Sequence, residues 1–142
     1  MQITNFNLRV YGLLIIDNQI LITDENRGGM HMTKFPGGGL EKGEGLRDCL
    51  KREFIEELEL EVSVGDLFYT NDFLQVSAFK PSDQLHSFYY FVSAEKEVEI
   101  VTKTGMPAAG EQYFRWLEVD KLNPLEFTFP IDRVVVERLK LA

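Results

Sequence analysis

Three carboxylates, Glu53, Glu56 and Glu57, fall within two turns of a helix-forming segment that follows a run of glycines, Gly37, Gly38 and Gly39. At about 100° per residue, with Glu53 at 0°, Glu57 lies near 40° and Glu56 near -60°, so the three share one face. Leu46, Cys49 and Leu50 fall at about 20°, -40° and 60° on the same wheel, so the acids prolong an apolar stripe. Like charges carried along the protein in this way, rather than out into water, need compensation. Two readings supply it. In one, the acids are a solvated charge run paired with Arg52. In the other, hard oxygens at i, i+3 and i+4 hold Mg2+ or Mn2+, which accept carboxylates together with water and substrate phosphate. The opposite side of the wheel already has its own charges in Arg47, Asp48, Lys51 and Glu59, which tilts the balance towards the metal.

Other chemistries lack their residues. Gly38 to Gly43 is not followed by the Lys and Ser/Thr of a phosphate-binding Walker loop. Asp24 and Asn26 lack the closing Glu of a Ca2+ hand. His31 and His86 are far apart with no partner motif for zinc, and no Ser or Cys nucleophile motif is present.

Taken together, Gly38, Glu44, Arg52, Glu53, Phe54, Glu56, Glu57 and Leu60 resemble the Nudix box, G-x5-E-x7-R-E-U-x-E-E-x-G-U with U a bulky apolar residue. Each polar position is met at the required spacing, and the single departure is Glu59 where the pattern has Gly. If the family Gly ends the helix in a left-handed conformation, a non-Gly residue there costs about 1 kcal/mol. Otherwise the helix runs slightly further.

The resemblance implies an α/β fold, a Nudix-type α/β/α sandwich of MutT-like kind, with a mixed β-sheet flanked by helices and the box as a loop-helix-loop. It further implies Mg2+-dependent (or Mn2+-dependent) hydrolysis of a nucleoside diphosphate linked to another group, either a nucleoside triphosphate or a nucleotide sugar such as ADP-ribose. Glu53, Glu56 and Glu57 would hold the metal, with the Gly37 carbonyl as a further ligand in relatives, and Glu53 and Glu57 count among the catalytic groups. Arg52 would pair with Glu53 or Glu56 and hold its rotamer. Gly38 and Gly39 would admit the phosphates to the backbone, and Glu44 would contact metal through water, hydrogen-bond the loop, or simply favour the helix start. A general base from outside the box is carried over to Glu111, with Glu97 and Glu99 as competitors. Asp132 resembles a position that reads the nucleobase in MutT-type relatives, with an N-cap as its plainer role. Phe127, Phe129, Tyr89 and Tyr90 are candidates for stacking on a base, though strand aromatics are more often core. The rival function is a nucleotide-sensing module that keeps the fold without turnover. Both a monomer and a homodimer remain open.

These residues must be positioned by a chain of 142 residues, 44% apolar, which suits one domain over 1–142. Asp and Glu outnumber Lys and Arg 23 to 15, and the net charge of -8 argues against nucleic-acid polymers and anionic membranes as partners. A lone cysteine, no leader-like start and no apolar run of about 20 residues point to the cytoplasm. Leu8 to Asp17 and Gln19 to Thr23 read as a β-hairpin turning at Asp17 and Asn18. Asp24 to Thr33 reads as an exposed connection to a glycine loop. Gly45 to Leu58 reads as a helix. Val62 to Val76, Ser87 to Ala94 and Gln112 to Val119 read as strands, and about Ile131 to Leu139 as a second helix with Val134, Val135 and Leu139 on its apolar side.

Overall fold

The polar pair Asp17 and Asn18 has φ of 50° and 61°, the doubly left-handed geometry of a two-residue hairpin turn. In the computed structural model, which describes residues 2–94 and 99–142, this turn joins β1 (Asn5–Ile16) to β2 (Gln19–Arg27). The chain continues through β3 (Met30–Lys34), β4 (Gly37–Gly39), α1 (Leu46–Leu58), β5 (Val62–Thr70), β6 (Asp83–Ala94), β7 (Gln112–Glu118) and α2 (Pro130–Leu141). This makes an α/β chain. Among the described residues no helix is long and apolar enough to cross a membrane.

The chain divides into two compact units, Met1–Gly12 with Gly37–Glu95, and Leu13–Pro36 with Lys96–Ala142. In the first, β4 pairs antiparallel with the start of β1, matching Gly39 to Arg9, Gly38 to Val10 and Gly37 to Tyr11. The glycines are thus a short strand, not the loop expected from their composition. Helix α1 packs against β4 and β5 through the buried Cys49, Leu50 and Phe54. β5 pairs antiparallel with β6 and stops at Thr70, short of the expected Val76. The buried Asn71 ends the ladder there: its side chain accepts the Ser87 N–H (2.8 Å) and donates to the Phe73 and Leu85 carbonyls.

In the second unit β2 pairs antiparallel with both β3 and β7, with Thr23 opposite Lys34 and Phe114. The segment expected to be an exposed connection, Asp24 to Thr33, is therefore mostly strand, turned at Gly28 and Gly29, whose φ values are 60° and 85°. Its polar side chains satisfy one another across strands. Asp24 takes Arg115 Nε at 2.7 Å and the Thr33 hydroxyl at 2.7 Å, and Lys34 lies 2.9 Å from Glu25. Helix α2 starts at Pro130 with Phe129 in the N-cap position, so Asp132 is not the cap: it is buried in the first turn at 2% exposure. The buried side of α2 comprises Ile131, Asp132, Val135, Val136 and Leu139, and Val134, expected inside, is half-buried.

At the end of α1 the box departure has a definite geometry. Glu59 adopts φ 51° and ψ 35°, its N–H donates to the Ile55 carbonyl at 3.0 Å, and the helix stops where the pattern has Gly. The left-handed residue carries a Cβ penalty, so Glu59→Gly is expected to stabilise the protein by about 1 kcal/mol. Urea denaturation reads this as a higher midpoint with unchanged slope; an unchanged or lower midpoint would show that the penalty is already relieved.

Candidate functional site

Arg52 is the centre of the box. Helix α1 places it three residues after Cys49 and immediately before Glu53, and all five of its N–H donors are used. Nε and Nη2 grip the two oxygens of Glu44 at 3.0 and 2.7 Å, a bidentate pair. Nη1 donates to Glu53 Oε1 at 3.0 Å and Glu56 Oε2 at 3.1 Å, and Nη2 also donates to the Gly39 carbonyl at 3.0 Å. Arg52 therefore binds Glu53 and Glu56 together, and Glu44 more closely than either.

Glu44 is tied to both ends of the loop, since its Oε1 also accepts the Glu41 N–H at 2.9 Å. The Arg52 hydrogen bonds, followed by that backbone bond, pull its carboxyl from 4.5 down to about 2. A depressed acid stabilises the fold only while it is ionised in the native state. This contribution is full above about 4.5 and is lost as pH falls towards 2. Acid melting curves are accordingly expected to fall more steeply across that window in the natural protein than in Glu44→Gln; parallel curves would contradict this.

The buried Cys49 Sγ donates to the Gly39 carbonyl at 3.5 Å, and its thiol is pushed up to about 12, first by burial and then by the Glu44 charge. A thiol held protonated in this way is no nucleophile. In the sequence it was legible only as a member of the apolar stripe of the helix. Glu41, at 3.7 Å from Arg52, had no signal at all.

Two of the glycines have steric reasons. A Cβ on Gly37, with φ 154°, would overlap the Val10 carbonyl oxygen and lie 2.7 Å from Tyr11 Cα. A Cβ on Gly38 would overlap the Glu53 carboxylate, which rests in the notch that the missing side chain leaves. Glu53 is thereby fixed from two sides, by backbone and by guanidinium.

The three box glutamates differ in setting. The Glu53 side chain is 13% exposed and that of Glu56 is 56% exposed, so Glu56 sits at the solvent margin instead of sharing the inward face. Glu57 is half-buried one turn after Glu53. Among the described residues no three acids, histidines or cysteines are gathered round one point for a metal ion. Like charges separate, and Glu53 and Glu56 turn one oxygen each to Arg52. In donor type these carboxylates fit a hard divalent cation, and the Gly38 notch keeps Glu53 against the buried backbone of β4.

Of the remaining described candidates, Tyr89 and Tyr90 are in the first unit and the others in the second. Glu111 is exposed just before β7, its N–H donating to the Ala108 carbonyl and its own carbonyl accepting from Asn26. Glu99 is exposed, and Glu97 lies outside the described residues. Tyr89, Tyr90 and Phe127 are buried at 7% exposure or less and belong to the core, Phe127 stacking on Phe35 at 4.8 Å, whereas Phe129 is half-buried.

The family model described as NUDIX domain matches residues 6–139. Among solved structures, the DNA mismatch repair protein MutT (family Nudix hydrolase) from methicillin-resistant Staphylococcus aureus 252 is 26% identical, with 99% of this chain and 98% of that chain covered and a TM-score of 0.68. A MutT protein from Methanosarcina mazei Go1 is 16% identical over 97% of this chain and 95% of that chain, with a TM-score of 0.70. An ADP-ribose pyrophosphatase from Streptococcus suis 89-1591 is 16% identical over 96% of this chain and 92% of that chain, with a TM-score of 0.59. No curated protein matches the chain.

Proposed function

Because the chain belongs to the NUDIX domain family, as a hydrolase of pyrophosphate bonds, we propose that it cleaves the diphosphate linkage of a nucleoside diphosphate joined to another group. The substrate class is a nucleoside triphosphate or a nucleotide sugar such as ADP-ribose, and the cofactor is Mg2+ or Mn2+. The observation that carries this reading is the Arg52 network, which ties Glu44, Glu53, Glu56 and the Gly39 carbonyl into one unit at the glycine strand.

Glu53, Glu56 and Glu57, with the Gly37 carbonyl, would hold the cation. When bound, it offsets the charge of the diphosphate oxygens and makes water a better nucleophile. Arg52 orients Glu53 and Glu56 and keeps their lone pairs in a fixed direction. Gly39 leaves its backbone open to the phosphates, while Gly38 makes room for the Glu53 carboxylate. Water adds to one phosphorus, the bridging P–O bond breaks, and two phosphate-terminated products leave. Glu111 is the proposed acceptor of the water proton at its carboxylate, and Asp132 the proposed hydrogen-bonding partner of the nucleobase.

A panel of nucleoside triphosphates and nucleotide sugars with Mg2+, assayed for phosphate, pyrophosphate and nucleotide release, tests the reading. Turnover of at least one class supports it. Ligand-dependent thermal stabilisation with no turnover across the panel would overturn it in favour of a sensing module.

A further inference from the structure

Resting on that hydrolase reading, we infer that Arg9 is a substrate-binding residue that holds a phosphoryl group other than the one attacked. Gly37 and Gly38 are filled from within the protein, by the Val10 carbonyl and the Glu53 carboxylate. Gly39 is different. It is absent from the positive-φ positions, and around the place of its missing Cβ the one non-neighbouring atom within 4 Å is Arg9 Nη1, at 3.6 Å. Neither backbone strain nor crowding accounts for glycine there. A ligand lying on the bare backbone does.

The floor and the cation beside it are both rigid. The Gly39 carbonyl is held by Arg52 and Cys49, and Arg9 stands directly opposite Gly39 in the β1–β4 pairing. Arg9 Nε donates to the Tyr11 hydroxyl at 2.7 Å, with the guanidinium 5.7 Å from the centre of that ring. Tyr11 is stacked on the buried Tyr89 at 5.2 Å, so the fork is aimed before any ligand arrives. Arg9 itself remains half-exposed. A planar guanidinium held this way suits the paired oxygens of a phosphoryl group. Successive strand residues face opposite ways, so Arg9 addresses the face of β4 opposite Glu53, about 3.8 Å along the chain. A phosphoryl group on that face is held apart from the one that meets the carboxylates.

Steady-state kinetics of Arg9→Gln, Arg9→Lys and Tyr11→Phe test the inference, using whichever panel compound the natural protein turns over. Arg9→Gln is expected to raise KM by about tenfold or more with kcat nearly unchanged, since a charge-assisted bidentate contact is lost. Arg9→Lys should rescue only part of this, because an ammonium keeps the charge and loses the fork. Tyr11→Phe, which keeps the ring packing, should give a smaller rise in KM. A purely structural Arg9 would instead lower the melting temperature with KM unmoved, and an unchanged KM in all three variants overturns the inference while leaving the hydrolase reading intact. If the natural protein turns over nothing, thermal shift with Mg2+ and inorganic pyrophosphate decides: stabilisation lost in Arg9→Gln supports the site, and equal shifts in both proteins overturn it.

Discussion

Glu57→Gln is expected to lower kcat by roughly a thousandfold at saturating Mg2+, with a melting temperature close to that of the natural protein. The substitution preserves shape and removes one negative charge from the half-buried inner side of α1, where a hard cation has few other anionic donors. Glu53→Gln should be comparably severe for a second reason. Its carboxylate lies between the Gly38 backbone and Arg52 Nη1, and a misplaced amide would present an N–H to a guanidinium that can only donate. Glu56, at the solvent margin, should tolerate the same change better. Single-turnover assays across a Mg2+ titration separate weakened metal binding from slowed chemistry. Turnover within a few-fold of the natural rate in both Glu53→Gln and Glu57→Gln would remove the carboxylates from the mechanism.

The largest expected effect on stability lies away from the box. Arg115→Met should destabilise the protein by about 2–3 kcal/mol in urea denaturation, because it leaves the Asp24 carboxylate without its charged partner. The Asp24 side chain is 11% exposed and that of Arg115 25%, which places the cost towards the lower end for a broken buried pair. The Thr33 hydroxyl still donates to Asp24 and softens the loss. Replacing both charges, as in Asp24→Leu with Arg115→Met, should recover part of the stability, since the desolvation of the carboxylate disappears along with its partner. A loss below about 0.5 kcal/mol in Arg115→Met would mean that water already compensates Asp24.

What could be read directly from the sequence was what depends on near neighbours in the chain. The extent of α1, the turn at Asp17 and Asn18, and the spacing that puts Glu44, Arg52, Glu53 and Glu56 in reach of one another all follow from local propensity and helical period. Whether Glu59 would end the helix or extend it could not be read, because the choice between a left-handed residue and another helical turn depends on where β5 pairs with β6 and so on where the chain must turn to reach it. The polar strands at the end of β2 and in β3 were missed because their partners are remote: Asp24 is neutralised by Arg115, 91 positions away. Asp132 looked like a helix cap, and only packing of α2 shows it buried. Composition and spacing thus determined which groups could do the chemistry and the helix that carries them. Tertiary structure decided which acids are inside, which glycine is left open and which charges cancel, because burial and ion pairing join residues whose separation along the chain carries no information about their distance in space.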